Sequence, residues 1–234
     1  MAKIRLDKFV SSQSGLSRKE ARIAVWKGRV LVDGQAVLKP DASVDTDCAI
    51  QLDGQSLVYK PYVYFMLNKP KGIVSATRDK AAKTVLDLLP EHCKKLQCSP
   101  VGRLDRDTTG LLLLTNDGDF LHRVISPNQR IEKSYLVTLD AAVPPTLVAE
   151  FAQGIVLADG TQCREAKLEI LQACQARVVI TEGKYHQIKR MFGVAGLGVV
   201  ELHRERIGAL YLEPDLPSGA VKELTAENAS KVFA

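Results

Sequence analysis

At 234 residues the chain has length for one large domain or two small ones, with enough apolar content to bury a core. No window approaches the apolar run that a membrane span needs, and the first residues, Met-Ala-Lys-Ile-Arg-Leu-Asp, carry no signal-peptide core. The net charge is +5, from 32 basic and 27 acidic side chains, and five cysteines without a dense framework fit reduced thiols in a cytoplasm.

The charge is unevenly placed. Residues 1–30 hold Lys3, Arg5, Lys8, Arg18, Lys19, Arg22, Lys27 and Arg29 against Asp7 and Glu20, a net of +6 that leaves the remainder at −1. Such a block is the electrostatic footprint of phosphate-backbone binding. Within it Leu6, Phe9 and Val10 have helical spacing, Ser14-Gly15 interrupts, and Ser17-x-x-Glu20 reads as a capping box opening a second helix. On that helix Arg18, Lys19 and Arg22 fall on one side and Ala21, Ala24 and Val25 on another. Gly28 ends it, residues 29–32 read as a strand, and Asp33-Gly34 reads as a hairpin turn. A strand at 49–52 and Asp53-Gly54 follow. A short linker near 57–61 then divides the chain into domains at 1–58 and 62–234.

Beyond the linker, strand-like runs recur at 64–67, 111–115, 133–139, 167–171, 177–181 and 199–206, with helical patterns at 119–124, 145–153 and 186–195. The mixture predicts an α+β domain around a mainly antiparallel sheet. Asn68-Lys69-Pro70-Lys71-Gly72 reads as a basic, tight turn. Cys93 and Cys98 with His92 match no usual zinc spacing, and His122, His186 and His203 are scattered singly, so no metal site is expected. No Rossmann fingerprint or P-loop appears, and no cofactor is expected.

The segment 102–118, Gly-Arg-Leu-Asp-Arg-Asp-Thr-Thr-Gly-Leu-Leu-Leu-Leu-Thr-Asn-Asp-Gly, sets charges and turn formers directly before four leucines. The leucines read as a short buried strand, although periodicity alone does not separate this from a helix. Asp105 is a carboxylate held close to core, a costly placement unless it is paired, and Arg103 and Arg106 are its neighbours in sequence. An acid kept ionised in this way suits a nucleophile or a base. Further on, Lys133-Ser134-Tyr135-Leu136-Val137 alternates like a strand, and residues 182–192 read as a turn entering a helix. Ile188, Met191, Phe192 and Ala195 form that helix's apolar stripe.

Gly-Arg-Leu-Asp-x-x-Thr-x-Gly-Leu-Leu followed by Thr-Asn-Asp-Gly resembles the catalytic motif of the RsuA-type pseudouridine synthases. The resemblance implies that Asp105 is the catalytic aspartate, with Arg103 and Leu104 beside the substrate pocket, while Asp107 falls at a variable position. Asn68-Lys69-Pro70-x-Gly72 is similar to an element of the active-site floor, with Lys69 a possible RNA contact. Lys133-x-Tyr135-x-Val137 is similar to the element bearing the active-site tyrosine, a ring able to stack on an extruded base. Gly183-x-x-His186-Gln187-Ile188-Lys189 resembles the motif whose basic residue pairs with the catalytic aspartate. That residue is Lys189 here, and Ile188 would pack under the uridine.

Residues 1 to about 50 resemble an S4 RNA-binding domain, which makes Arg5, Arg18, Lys19, Arg22 and Lys27 candidate RNA contacts, mostly to phosphates. The resemblance implies a small S4-like domain followed by a pseudouridine synthase domain with a mainly antiparallel mixed sheet and flanking helices. It implies isomerisation of uridine in ribosomal RNA by a cytoplasmic, monomeric enzyme. No long basic C-terminal tail follows residues 224–227, and the likeness is greatest to members acting on 16S rRNA, which implies a small-subunit assembly intermediate as the partner. A 23S rRNA enzyme of the same family and a non-catalytic S4-type RNA-binding protein are the alternatives.

Overall fold

Local turn chemistry and capping organise the N-terminal third of the chain. The computed structural model describes residues 3–234, which gather into two compact units, the first running to Tyr62 and also taking in Pro90–Leu96. It contains β1 (Lys3–Arg5), α1 (Leu6–Gln13), α2 (Arg18–Trp26), β2 (Val30–Val32), β3 (Gln35–Ala36), β4 (Ser43–Asp45), β5 (Ile50–Leu52), β6 (Gln55–Leu57) and α3 (Glu91–Lys94). The capping box on α2 is made: Ser17 Oγ accepts from the Glu20 amide at 3.2 Å, and Glu20 Oε2 accepts from the Ser17 amide at 2.6 Å. Asp33 and Gly34 both take positive φ, 49° and 79°, which closes the two-residue hairpin between β2 and β3. Strands pair antiparallel in the order β3-β2-β5-β6, with β1 on β4. Leu6, Phe9, Val10, Ala21, Ala24, Val25, Val30 and Ile50 form the core. The sequence division at 58–62 does not anticipate that 90–96 belongs with this unit, where Lys95 Nζ donates to the Gly15 carbonyl at 2.6 Å.

The second unit, Val63–Leu89 with Gln97–Ala234, is built on one sheet. Its strands are β7 (Tyr64–Lys69), β8 (Ser99–Pro100), β9 (Thr109–Thr115), β10 (Lys133–Leu139), β11 (Lys167–Gln172), β12 (Gln175–Ile180), β13 (Val199–Ile207), β14 (Leu210–Tyr211) and β15 (Val221–Leu224). Helices α4 (Gly118–Ile125), α5 (Thr146–Gln153), α6 (Gln187–Val194) and α7 (Ala226–Ser230) flank it. The order is β11-β12-β10-β13-β9-β7-β15, with β14 on β13 and β8 on β9. Pairing is antiparallel except between β9 and β13, which run parallel with His203 opposite Thr109 and Arg204 opposite Gly110. The α+β, mainly antiparallel mixed sheet is the class that the sequence predicts.

The four leucines are a strand after all, and β9 begins two residues before them. Leu111 and Leu113 pack with Phe120 and Val124 of α4, while Leu112 and Leu114 are equally buried on the opposite side, as a period of two requires. A strand apolar on both faces belongs at the centre of a sheet. Gly110 makes that centre possible: a Cβ there would lie 2.3 Å from the Arg204 carbonyl oxygen, and its φ is +100°. The turn preceding β9, which carries Asp105, is thereby brought against β13.

Candidate active site

The chain before β9 forms a tight turn, the Thr108 amide donating to the Asp105 carbonyl at 3.1 Å. Three groups fasten it. Ser75 Oγ donates to the Leu104 carbonyl at 2.8 Å and accepts from the Leu104 amide at 3.1 Å. The Gly72 amide donates to the Arg106 carbonyl at 2.8 Å, and Arg106 Nε returns to the Gly72 carbonyl at 3.2 Å. Lys69, at the end of β7, places its ammonium beneath the turn, donating to the carbonyls of Thr108 at 2.9 Å, Asp105 at 3.0 Å and Pro70 at 3.1 Å.

Lys69 therefore corrects one expectation. Its side chain has no accessible surface, so it is an internal clamp and not a contact for RNA. A lysine in a basic Pro/Gly turn reads as exposed because lysines usually are. Here the uncommitted carbonyls of a sharp turn offer an ammonium more than water would. Burial pushes its pKa down to about 8, against the opposing pull of Asp107 and Asp105.

The loop entering α6 faces this turn. Lys189 lies 3.7 Å from Asp105 Oδ2, but it bonds Asp107 at 2.6 and 2.7 Å. The expected pairing is thus shared, and the closer partner is the aspartate that the sequence reading set aside. Lys189 holds the Asp107 carboxyl below the usual carboxylate range. His186, read from the sequence as a scattered histidine, places Nε2 3.6 Å from Asp105 Oδ2. Lys189 Nζ and His186 Nε2 both stand just outside hydrogen-bond reach, so Asp105 has an ammonium and an imidazole beside carboxylate oxygens that take no hydrogen bond among the described residues. Arg106 and its carbonyl are used in fastening the turn, and Arg103 is exposed at the rim.

Tyr135 on β10 is buried and walls the cleft. Behind it lies Arg204 of β13, 2 % exposed, with Nε donating to the Leu111 carbonyl at 2.7 Å, Nη1 3.4 Å from the Tyr135 hydroxyl, and Nη2 without a hydrogen-bond partner among the described residues. Sequence reasoning missed this residue. Its signal is parity: Leu202 and Arg204 share the buried face of an alternating strand.

Asp105, Arg103, Leu104, Tyr135, His186 and Ile188 line one small cleft of about 90 Å³. Arg103 and Tyr135 also border an adjoining cavity of about 690 Å³, to which Lys133 and Arg204 contribute positive charge. Burial, with Arg204 nearby, pushes the Lys133 ammonium down to about 8.

In the first unit Arg5, Arg18, Lys19, Arg22 and Lys27 are all exposed. Arg5 and Arg18 are partly committed to the buried Asp7, at 2.9 and 3.1 Å. Arg22 lies over Trp26, 5.4 Å from the ring centroid, in a groove that Arg5 and Lys39 also line. Trp26 is 58 % exposed and was not picked out from the sequence.

A small basic unit joined to a sheet domain with a carboxylate-bearing, aromatic-walled cleft defines the class, an RNA-modifying enzyme with its own RNA-binding module. Residues 63–193 match the RNA pseudouridylate synthase family and residues 4–47 the S4 domain. The chain is 44 % identical over 232 residues to the ribosomal small subunit pseudouridine synthase A of Salmonella typhimurium, covering 98 % of this chain and 100 % of that one. The Escherichia coli protein of the same name is 43 % identical over the same shares. A crystal structure of a pseudouridylate synthase superposes with a TM-score of 0.70 at 38 % identity, covering 98 % of this chain and 99 % of the other. The chain belongs to the RNA pseudouridylate synthase family and is an RNA pseudouridine synthase with an N-terminal S4 domain.

Proposed function

We propose that the protein converts one uridine of 16S ribosomal RNA to pseudouridine, with Asp105 as the catalytic carboxylate. The substrate is supported by full-length similarity to enzymes named for the small ribosomal subunit. The residue is supported by one observation: the Asp105 turn is clamped from within by Lys69 while its carboxylate faces the cleft that Tyr135 walls. A fixed carboxylate with uncommitted oxygens is what an attack on ribose, or removal of a ribose proton, needs.

In the reaction the bond from ribose C1′ to uracil N1 breaks, the base rotates, and C1′ joins C5. The C5 proton leaves to solvent and N1 gains one, so no group donor or redox partner takes part. The uridine is extruded, Tyr135 and Ile188 hold the base, and the Lys189 ammonium supplies positive charge beside Asp105. Arg5, Arg18, Lys19, Arg22 and Lys27 grip the backbone from the S4 unit, supplying affinity and orientation. A single copy contains the whole proposed site, so the enzyme acts as a monomer. Its substrate is an assembly intermediate of the small subunit in the cytoplasm, and no helix among the described residues is long and apolar enough to cross a membrane.

The test is tritium release from 16S rRNA labelled at uridine C5. Asp105→Asn is expected to abolish release while RNA binding persists, and undiminished release would overturn the assignment of Asp105. Pseudouridine mapping in ribosomal RNA from a strain lacking the protein tests the substrate, which fails if no small-subunit site is lost.

A further inference from the structure

Tyr185 leaves 75 % of its surface exposed, although it stands beside the hydrogen-bonded turn of Glu182, Lys184 and Gln187. Its ring lies on the His186 imidazole, centroids 3.9 Å apart and planes 18° apart. The imidazole in turn reaches to 3.6 Å from Asp105 Oδ2. Carboxylate, imidazole and phenol therefore follow one another outward from the cleft, and the outer face of the phenol meets solvent.

The turn carrying the stack is stiff. His186 adopts the left-handed region at φ 47°, which a residue with a Cβ enters only when its surroundings impose it. Gln187 imposes part of this by accepting from the Lys184 amide at 2.9 Å and donating to Glu182 Oε1 at 2.8 Å. Arg190 adds a second tie, its amide donating to the His186 carbonyl at 2.9 Å and Nη1 to the Tyr185 carbonyl at 3.4 Å. A rigid aromatic pair with one open face binds a flat partner at little entropic cost.

We infer that Tyr185 and His186 form a stacking platform for the base next to the target uridine. This rests on the reading of the protein as a uridine isomerase, and its reason is physical. Extruding one nucleotide removes a stacking neighbour from the next, and an aromatic face beside the cleft replaces what is lost. Arg103, exposed at the rim of the cleft, offers a cation to a phosphate there, whereas Lys184, Lys189 and Arg190 are paired with Glu182, Asp107 and Asp159. Aromatic faces interleaved with cations are how proteins hold single-stranded RNA without reading its sequence.

The experiment has two arms. In steady-state pseudouridine formation on a 16S rRNA transcript, Tyr185→Ala is expected to raise KM about 5- to 100-fold, the range a stacked base supplies, with the loss falling on KM and not on kcat. Tyr185→Phe is expected to rescue, and Tyr185→Leu, apolar but without a π face, to behave like Ala. In the second arm a single-stranded oligoribonucleotide carrying 2-aminopurine next to uridine is quenched on binding by wild type and Tyr185→Phe but not by Tyr185→Ala. An unchanged KM in the Ala variant, or equal quenching by all proteins, overturns the platform. A wild-type protein that makes no pseudouridine overturns the parent reading instead, and the quenching arm still decides the platform. Truncating so exposed a side chain leaves the core untouched.

Discussion

Lys189 grips both carboxylate oxygens of Asp107, at 2.6 and 2.7 Å. The same ammonium is 3.7 Å from Asp105 Oδ2, so two carboxylates share one cation and the more exposed of them holds it. Asp107 thus acts as a tether that keeps Lys189 close to Asp105.

This division of labour predicts unequal losses. Lys189→Met should lower the single-turnover rate by about 10²-fold or more, the usual cost of deleting a charge aimed at a reacting centre. Asp107→Asn should cost at most about fivefold, the worth of an exposed ion pair, since Asp105 remains as a carboxylate neighbour for Lys189. Losses of equal depth would show that the Asp107–Lys189 pair is itself the working unit.

Lys69 predicts opposite trends for stability and activity with pH. Its pKa is about 8 in the fold and 10.5 in an unstructured chain. Between these values the unfolded state binds more protons, so this group's contribution to stability rises with pH from about 8 to 10.5. Below 8 both states carry the charge and the cost of burying it is present in full. Over the same rise the clamp on the Asp105 turn loses its charge-assisted bonds, so kcat should fall with an apparent pKa near 8. Urea midpoints and rates at pH 7.5 and 9.0, for wild type and Lys69→Met, check both. If the stability difference between the two proteins does not change with pH, Lys69 does not titrate there.

Gly110 sits opposite Arg204 in the parallel pair of strands β9 and β13. Gly110→Ala would put a methyl 2.3 Å from the Arg204 carbonyl at φ +100°, an approach that only backbone movement relieves. A loss of about 2–4 kcal/mol in unfolding free energy is expected. Gly118→Ala, with nothing within 4 Å of its Cβ and no positive φ, serves as the control and should change stability by less than about 1 kcal/mol. Equal behaviour of the two variants would mean that the β9–β13 contact tolerates a side chain.

What could be read from the sequence was local. Ser17 and Glu20, Asp33 and Gly34, and the alternation around Tyr135 each specify structure with neighbours a few residues away, and the elements form where they fall. Asp105, Tyr135 and Ile188 were legible as site candidates because each lies in a compact motif. The roles of Lys69, His186 and Arg204 depend on partners 36, 81 and 93 residues distant, and no short-range pattern encodes those. The same holds for Lys95, whose bond to Gly15 spans 80 residues and sets 90–96 with the first unit. Periodicity names the face on which a residue lies, whereas only the strand order names what waits on the other side.

The basic block of the first unit is not uniform, and salt titration should resolve its parts. Lys19 is exposed, and Arg22 rests on the face of Trp26, so each is available to a phosphate. Replacing either by Ala should reduce the slope of log K against log[salt] for 16S rRNA binding by about 0.7–0.9, one released counterion each. Arg5 and Arg18 hold the buried Asp7 between them. Burial works against the charge of Asp7, but the bonds from Arg5 and Arg18 outweigh it and keep its carboxyl below the usual range. Their charge is already partly spent inside the fold, so Arg5→Ala and Arg18→Ala should reduce the slope by less. They should instead lower the stability of the unit by about 1–3 kcal/mol, the cost of leaving a buried carboxylate under-bonded. Because the folded pKa of Asp7 is depressed, this stabilisation is present above the ordinary carboxylate pKa of about 4 and is lost as pH falls through the folded value. The stability gap between wild type and Asp7→Asn should therefore narrow on acidification. Equal slope changes for all four cations, with no change in stability, would mean that Asp7 commits neither arginine.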